Sequence, residues 1–122
     1  MPDVNSLTDE QLFLYINDVI VRERLFLDPK FDRQTIMDRF QLTKERVGSV
    51  FSNGSRYAKL TDYTQELRLE YSTQLINTYP DKSISQVASE SGFSSYSYYN
   101  KCFRKRFGMT PSEFRSSASK DM

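Results

Sequence analysis

Apolar residues recur at three- and four-residue intervals along nearly the whole chain, with polar residues between them, which is the spacing of one buried face on a helix. The first run is Leu12, Ile16, Val19, Ile20 and then Leu25 or Phe26. Ser6 and Thr8 are candidate N-caps, and Asp9, Glu10 and Gln11 suit a first turn. The pattern predicts a helix over 9–27 that stops at Asp28, because Pro29 disfavours helical backbone before it. This helix reads as a packing element without chemistry of its own.

A second pattern begins at Phe31, where Asp32 can cap a short helix with Ile36, Met37 and Phe40 inward. After a turn at Gln41 and Leu42, Thr43 can cap another helix with Val47, Val50 and Phe51 inward, which Asn53, Gly54 and Ser55 close. A long helix then starts near Leu60 or Thr61, carries Leu60, Tyr63, Leu67, Tyr71, Leu75 and Ile76, and ends before Pro80. At ~1.5 Å per residue, some 18 residues make a rod of about 27 Å.

The stretch from Ser83 to Arg115 carries the sharpest signals. Ser83 and Gln86 form a candidate capping box ahead of Ile84, Val87 and Ala88, and Gly92 then allows the left-handed backbone of a sharp turn. Ser94 can cap a second helix whose stripe is Tyr99, Phe103 and Phe107. Its other side holds Tyr96, Ser97, Asn100, Lys101 and Arg104, a face that is polar, basic and aromatic together. Thr110, Pro111 and Glu113 start one more helix, with N-cap, N1 proline and N3 acid in one run. Helix, glycine turn and basic helix make a helix-turn-helix pattern.

The pattern occurs twice. Val87 stands 51 residues after Ile36 and Ser94 stands 51 after Thr43, whereas Phe103 stands 52 after Phe51, so the second copy carries one extra residue beyond the turn. The expected fold is all-α, with about seven helices in two helix-turn-helix subdomains joined by a long linker helix. Its parts are an N-terminal lead (1–8), the first subdomain (9–58), the linker (59–79), the second subdomain (80–116) and a small, polar, fraying tail (from Ser116 on, 117–122 in the division).

Composition narrows the function. The 122 residues carry a formal charge of only +1, but its distribution is uneven. Residues 1–40 have five basic and eight acidic side chains (−3), residues 41–81 have five of each, and residues 82–120 have seven basic and two acidic (+5). Positive charge therefore gathers in the second copy. With no histidine, one cysteine and no glycine-rich phosphate loop, the usual catalytic and metal constellations are missing, so no enzyme and no cofactor is expected. Cys102 beside Phe103 reads as a small buried hydrophobe. Without a signal-like N-terminus or a run of ~20 apolar residues, a cytoplasmic protein is expected.

From about residue 9 to 115 the sequence resembles the DNA-binding domain of the AraC/XylS transcription regulators. The resemblance rests on Ile84, Ala88, Gly92, Phe93, Tyr99, Phe103, Phe107, Gly108, Thr110, Pro111 and Arg115, with Arg68, Leu69 and Glu70 matching the linker's R-L-E run. It implies a transcription regulator, or its C-terminal domain, whose two recognition helices enter successive major-groove segments of promoter DNA, one turn of ~34 Å apart. RNA polymerase and a sensor or effector domain outside this chain are further candidate partners, and no membrane is. The implied base-contact positions are Glu45, Gly48 and Ser49 in copy one and Tyr96, Ser97 and Lys101 in copy two, flanked by Lys44, Arg46, Asn100 and Arg104.

The chemistry of these residues is unequal. Lys101 can donate to guanine O6 and N7, Asn100 can pair with adenine, and Tyr96 offers a ring edge to a thymine methyl or its hydroxyl to a phosphate. The run Arg104, Lys105 and Arg106 suits phosphates, as do Lys44 and Arg46. Glu45 can accept from cytosine N4 but is repelled by phosphates. Gly48 brings no side chain, and Gln41 stands where the turn glycine is usual, so copy two is expected to dominate. The alternative is a helical protein-interaction module that kept this fold without DNA binding.

Overall fold

A computed structural model describes residues 3–120, with side-chain detail to Ser117. The described residues form seven α-helices: α1 (Asp9–Arg22), α2 (Arg33–Phe40), α3 (Lys44–Gly54), α4 (Leu60–Thr78), α5 (Ile84–Glu90), α6 (Tyr96–Phe107) and α7 (Pro111–Lys120). Single 3-10 turns stand at Val4–Ser6 and Leu25–Leu27. No strand occurs among the described residues, so the all-α expectation holds. The chain divides within α4 into two compact units, one ending at Thr64 and the other beginning at Gln65.

In the first unit, the Thr8 hydroxyl accepts from Gln11 N while the Gln11 side chain accepts from Thr8 N, a complete capping box that starts α1. The helix stops at Arg22, five residues earlier than its hydrophobic pattern predicts. Arg24 adopts a left-handed φ of 57°, and Phe26 reaches the core from the 3-10 turn instead, with Leu25 half-buried beside it. Asp32 and Thr35 form a second capping box for α2. The core joins Leu12, Ile16, Val19 and Ile20 of α1 to Ile36, Phe40, Val47, Val50 and Phe51, all buried. Tyr63, at the start of α4, packs edge-on against Phe13, Phe51 and Tyr57, and its hydroxyl donates to Asn17 Oδ1 at 2.6 Å.

The second core is built from Leu69, Leu75 and Ile76 of α4, Ile84, Val87 and Ala88 of α5, and Phe93, Tyr99 and Phe103. Phe107, from the stripe legible in the sequence, and Phe114 pack partly against it, as does Cys102, which is half-buried where the sequence pattern predicts full burial. Burial pushes the Tyr99 hydroxyl up to about 12. Ser72 beside it only partly offsets this, since the Ser72 proton goes to the Leu69 carbonyl at 2.7 Å. The apolar stripe read for α4 is incomplete: Thr64, Leu69 and Ser72 are buried while Leu60, Leu67 and Tyr71 are only partly so. One helix serves two cores, so no single face describes it.

Two helix ends differ from expectation. The last helix runs through Lys120, beyond the Ser116 at which the sequence expected a fraying tail, and Asp121 and Met122 lie outside the described residues. The cap of α6 is Ser95, whose hydroxyl accepts from Tyr98 N at 3.1 Å, and not Ser94.

Candidate nucleic-acid interface

The shifted cap settles the register of the repeat. Leu42 N bonds to Met37 O at 3.0 Å and Phe93 N to Ala88 O at 3.1 Å, an equivalent pair of turn bonds 51 residues apart. The caps Thr43 and Ser95 are 52 apart, so the extra residue of copy two is Ser94 in the turn itself. Both turns are left-handed, at Gln41 (φ 55°) and Gly92 (φ 91°). Gln41 therefore takes the glycine's conformation, and its side-chain amide donates to the Asp38 carbonyl at 2.9 Å. From the caps onward, residues of α3 and α6 correspond at 52, which places Gly48 opposite Asn100 and Ser49 opposite Lys101.

In copy two, Tyr99 and Phe103 anchor α6 in the core, and successive side chains ~100° apart carry Tyr96, Ser97, Lys101, Arg104 and Lys105 outward. All five are exposed. Lys101 and Lys105 form no ion pair among the described residues. Arg106 belongs to a different part of the structure: its guanidinium holds both oxygens of Glu66 at 2.8 to 3.1 Å, tying α6 to α4. Tyr98 is held likewise, by a hydrogen bond between its hydroxyl and the Gln65 amide. Asn100 is only partly exposed, and its Oδ1 is buried without a partner. Bidentate pairing with adenine would require this side chain to turn outward.

The end of the second unit braces this helix. Thr110 and Glu113 complete a capping box with two bonds of 3.1 Å, which holds the Glu113 carboxyl below its ordinary value. Arg115 donates to the carbonyls of Pro80 and Lys82 at 2.7 and 2.8 Å, fixing the loop that leads into α5. Ser83 caps α5 by accepting from Gln86 N at 3.1 Å, the first half of its expected box.

Copy one presents less. Lys44 and Glu45 are exposed, and Gly48 is exposed with nothing within 4 Å of a Cβ placed on it. Arg46, expected to stand at the surface as a phosphate clamp, lies against the start of α1. It donates from Nε to Asp9 Oδ1 at 3.1 Å and from NH2 to the Leu7 carbonyl at 2.7 Å. Ser49, expected at a base-contact position, bonds to the same Asp9 oxygen at 3.3 Å and to the Arg46 carbonyl at 3.1 Å. Asn53 donates to the other Asp9 oxygen at 3.0 Å. The Asn53 bond, with Ser49 and Arg46, holds the Asp9 carboxyl below its ordinary value against the opposing effect of burial.

Sequence reasoning missed Asp9, which it read only as a first-turn acid. Nothing local marks a residue whose partners lie 37 to 44 positions away. Gly54, read as a helix terminator, has a second role: a Cβ there would meet the Asp9 carbonyl oxygen at 2.5 Å, so glycine lets α3 approach α1.

A family model described as a helix-turn-helix domain matches residues 38–117, about two thirds of the chain. The chain belongs to the AraC-type helix-turn-helix family. It is 33% identical over 115 residues to the HTH-type transcriptional activator RhaR of Mannheimia succiniciproducens, a match covering 93% of this chain and 37% of RhaR. It is 42% identical over 72 residues to the HTH-type transcriptional regulator ExsA of Pseudomonas aeruginosa, covering 59% of this chain and 24% of ExsA. This AraC-type chain thus spans well under half the length of these curated relatives. Its fold is similar to the DNA-binding domain of AdpA, a global transcriptional factor solved with a target DNA, with a TM-score of 0.75 at 21% identity over 86% of this chain and 90% of that one.

Proposed function

We propose that this chain is a sequence-specific DNA-binding module of a transcription regulator, working in the cytoplasm without catalysis, with α6 as its main reading helix. The observation that carries the reading is the exposed row Tyr96, Ser97, Lys101, Arg104 and Lys105 on a helix that follows a left-handed turn and is anchored by Tyr99 and Phe103. The family and the DNA-bound fold neighbour support it. Lys101 reads guanine in the major groove, while Arg104 and Lys105 take phosphates and set orientation. Copy one enters a neighbouring groove segment and fixes register through Lys44, whose ammonium is exposed. On this reading promoter DNA is the target, RNA polymerase the downstream partner and a further domain the source of the signal; RhaR and ExsA, a transcriptional activator and a transcriptional regulator of which this chain spans 37% and 24%, support its place in transcription.

The test is selection of bound duplexes from a randomised library, followed by anisotropy titration of the enriched site. One recovered consensus with a guanine whose preference is lost in Lys101→Ala supports the reading. No enrichment at low salt would overturn it in favour of the protein-interaction alternative.

A further inference from the structure

Two of the three side chains that Asp9 holds, Ser49 and Asn53, stand where copy two carries lysines. With caps aligned at 52, Ser49 corresponds to Lys101, Asn53 to Lys105 and Arg46 to Tyr98. The correspondence extends to the preceding helices. Val19 and Ile20 of α1 and Leu75 and Ile76 of α4 are buried pairs 56 residues apart, and the same offset carries Asp9 onto Gln65. Gln65 bonds to Tyr98 just as Asp9 bonds to Arg46. Each unit therefore ties its first helix to the third residue of its reading helix. The tie is neutral in one unit and an ion pair in the other.

The ion pair has an electrostatic consequence that the neutral tie lacks. Val47, Val50 and Phe51 are buried, so the opposite face of α3 is the one open to a duplex, and Ser49 stands at its edge. There Asp9 places a carboxylate where copy two carries two ammonium groups, and it occupies the only arginine on α3. The Arg46 and Asp9 side chains keep 26% and 24% of their exposure, so the pair is within reach of solvent and of competing anions. We infer that Asp9 is an affinity-limiting residue for DNA, withholding Arg46, Ser49 and Asn53 from phosphates and thereby weakening copy one. This rests on the DNA-binding reading above.

The experiment is anisotropy titration of the whole chain with a fluorescein-labelled mixed-sequence duplex of about 40 base pairs, about four helical turns, across a salt series. Asp9→Asn removes the charge and keeps the side-chain shape, so that the ion pair holding Arg46 becomes a neutral hydrogen bond beside the one to the Leu7 carbonyl, which a phosphate can outcompete for the guanidinium. The substitution is expected to tighten binding about three- to tenfold and to steepen the slope of log affinity against log salt by about 0.9, the contribution of one phosphate contact. The added slope should vanish in Asp9→Asn with Arg46→Gln. A folded Asp9→Asn that binds no tighter than the parent, or a gain that survives loss of Arg46, overturns the inference.

Should Asp9→Asn fail to fold, Arg46→Gln alone decides. An unchanged slope supports the inference because Arg46 is occupied by Asp9, and a slope shallower by about 0.9 overturns it. Failure of the parent chain to bind this duplex at any salt removes the DNA reading itself. Parent binding without an Asp9 effect removes only the present inference.

Discussion

Two glycines on the same helix are expected to answer the same substitution with opposite signs. A Cβ on Gly54 would lie 2.5 Å from the Asp9 carbonyl oxygen, 2.9 Å from its carbon and 3.0 Å from Phe13 Cβ, whereas ordinary contact begins at 3.4 Å. The shortfall at the oxygen is 0.9 Å, and two of the three obstacles are backbone, so α1 and α3 must move apart. Overpacking of this kind costs about 1 to 3 kcal/mol. Gly54 is the last residue of α3, where the gain in helix propensity is small. Gly54→Ala should therefore destabilise the first unit by about 2 kcal/mol, lowering its melting transition by about 8 to 16 °C. Gly48 sits mid-helix with open space around it, and Gly48→Ala should stabilise the same unit by about 0.5 to 1 kcal/mol. Urea unfolding, followed by total tyrosine fluorescence and far-UV circular dichroism, reads both. A Gly54→Ala protein as stable as the parent would refute the close approach of the two helices, and a destabilised Gly48→Ala protein would refute the open face.

Other substitutions probe the turns and the brace. Gln41→Gly should stabilise the first unit by about 0.5 kcal/mol in thermal unfolding, because it relieves a left-handed non-glycine residue at the loss of one exposed hydrogen bond. Arg115→Ala should lower the stability of the second unit by about 1.5 to 3 kcal/mol in denaturant titration, through its two bonds to the Pro80 and Lys82 carbonyls. Tyr99 has its folded value raised from 10.0 to about 12, so the neutral hydroxyl is favoured in the folded state. The stability from keeping it neutral is complete below pH 10 and is lost as pH rises through about 12. Tyr99→Phe should flatten that alkaline loss in a pH series of melting curves while leaving neutral-pH stability within about 1 kcal/mol, since the hydroxyl has no partner to lose.

The elements were legible in the sequence where local chemistry sets them. Thr8, Asp32 and Thr110 mark helix starts as caps, and the structure completes each with a reciprocal partner, Gln11, Thr35 and Glu113, of which the sequence pattern marks only Glu113 as an N3 partner; the box expected at Ser83 and Gln86 forms only its first half. The stripe of Tyr99 and Phe103 gave the buried side of α6 directly. The Ser94 cap failed because two adjacent serines are chemically equivalent candidates, and only the turn geometry selects Ser95. Likewise, the early end of α1 depends on Arg24 turning left-handed, for which the sequence carries no glycine or proline signal. The candidate interface was legible on the side of α6 facing away from the core. It was not legible at Arg46, Arg106 and Ser49, because a surface charge and a strut have the same helical spacing. What separates them is a partner distant in sequence, Asp9 or Glu66.

The unequal division of labour between the copies is tested most directly by salt-dependent anisotropy on the selected DNA site. The comparison is Lys101→Ala with Arg104→Ala against Glu45→Gln with Ser49→Ala. Loss of the two α6 cations should weaken binding at least about 30-fold and make the salt slope shallower by about 1 to 2, with the α3 pair changing affinity less than about threefold. Equal or greater loss from the α3 pair, with α6 substitutions near the parent value, would contradict the account.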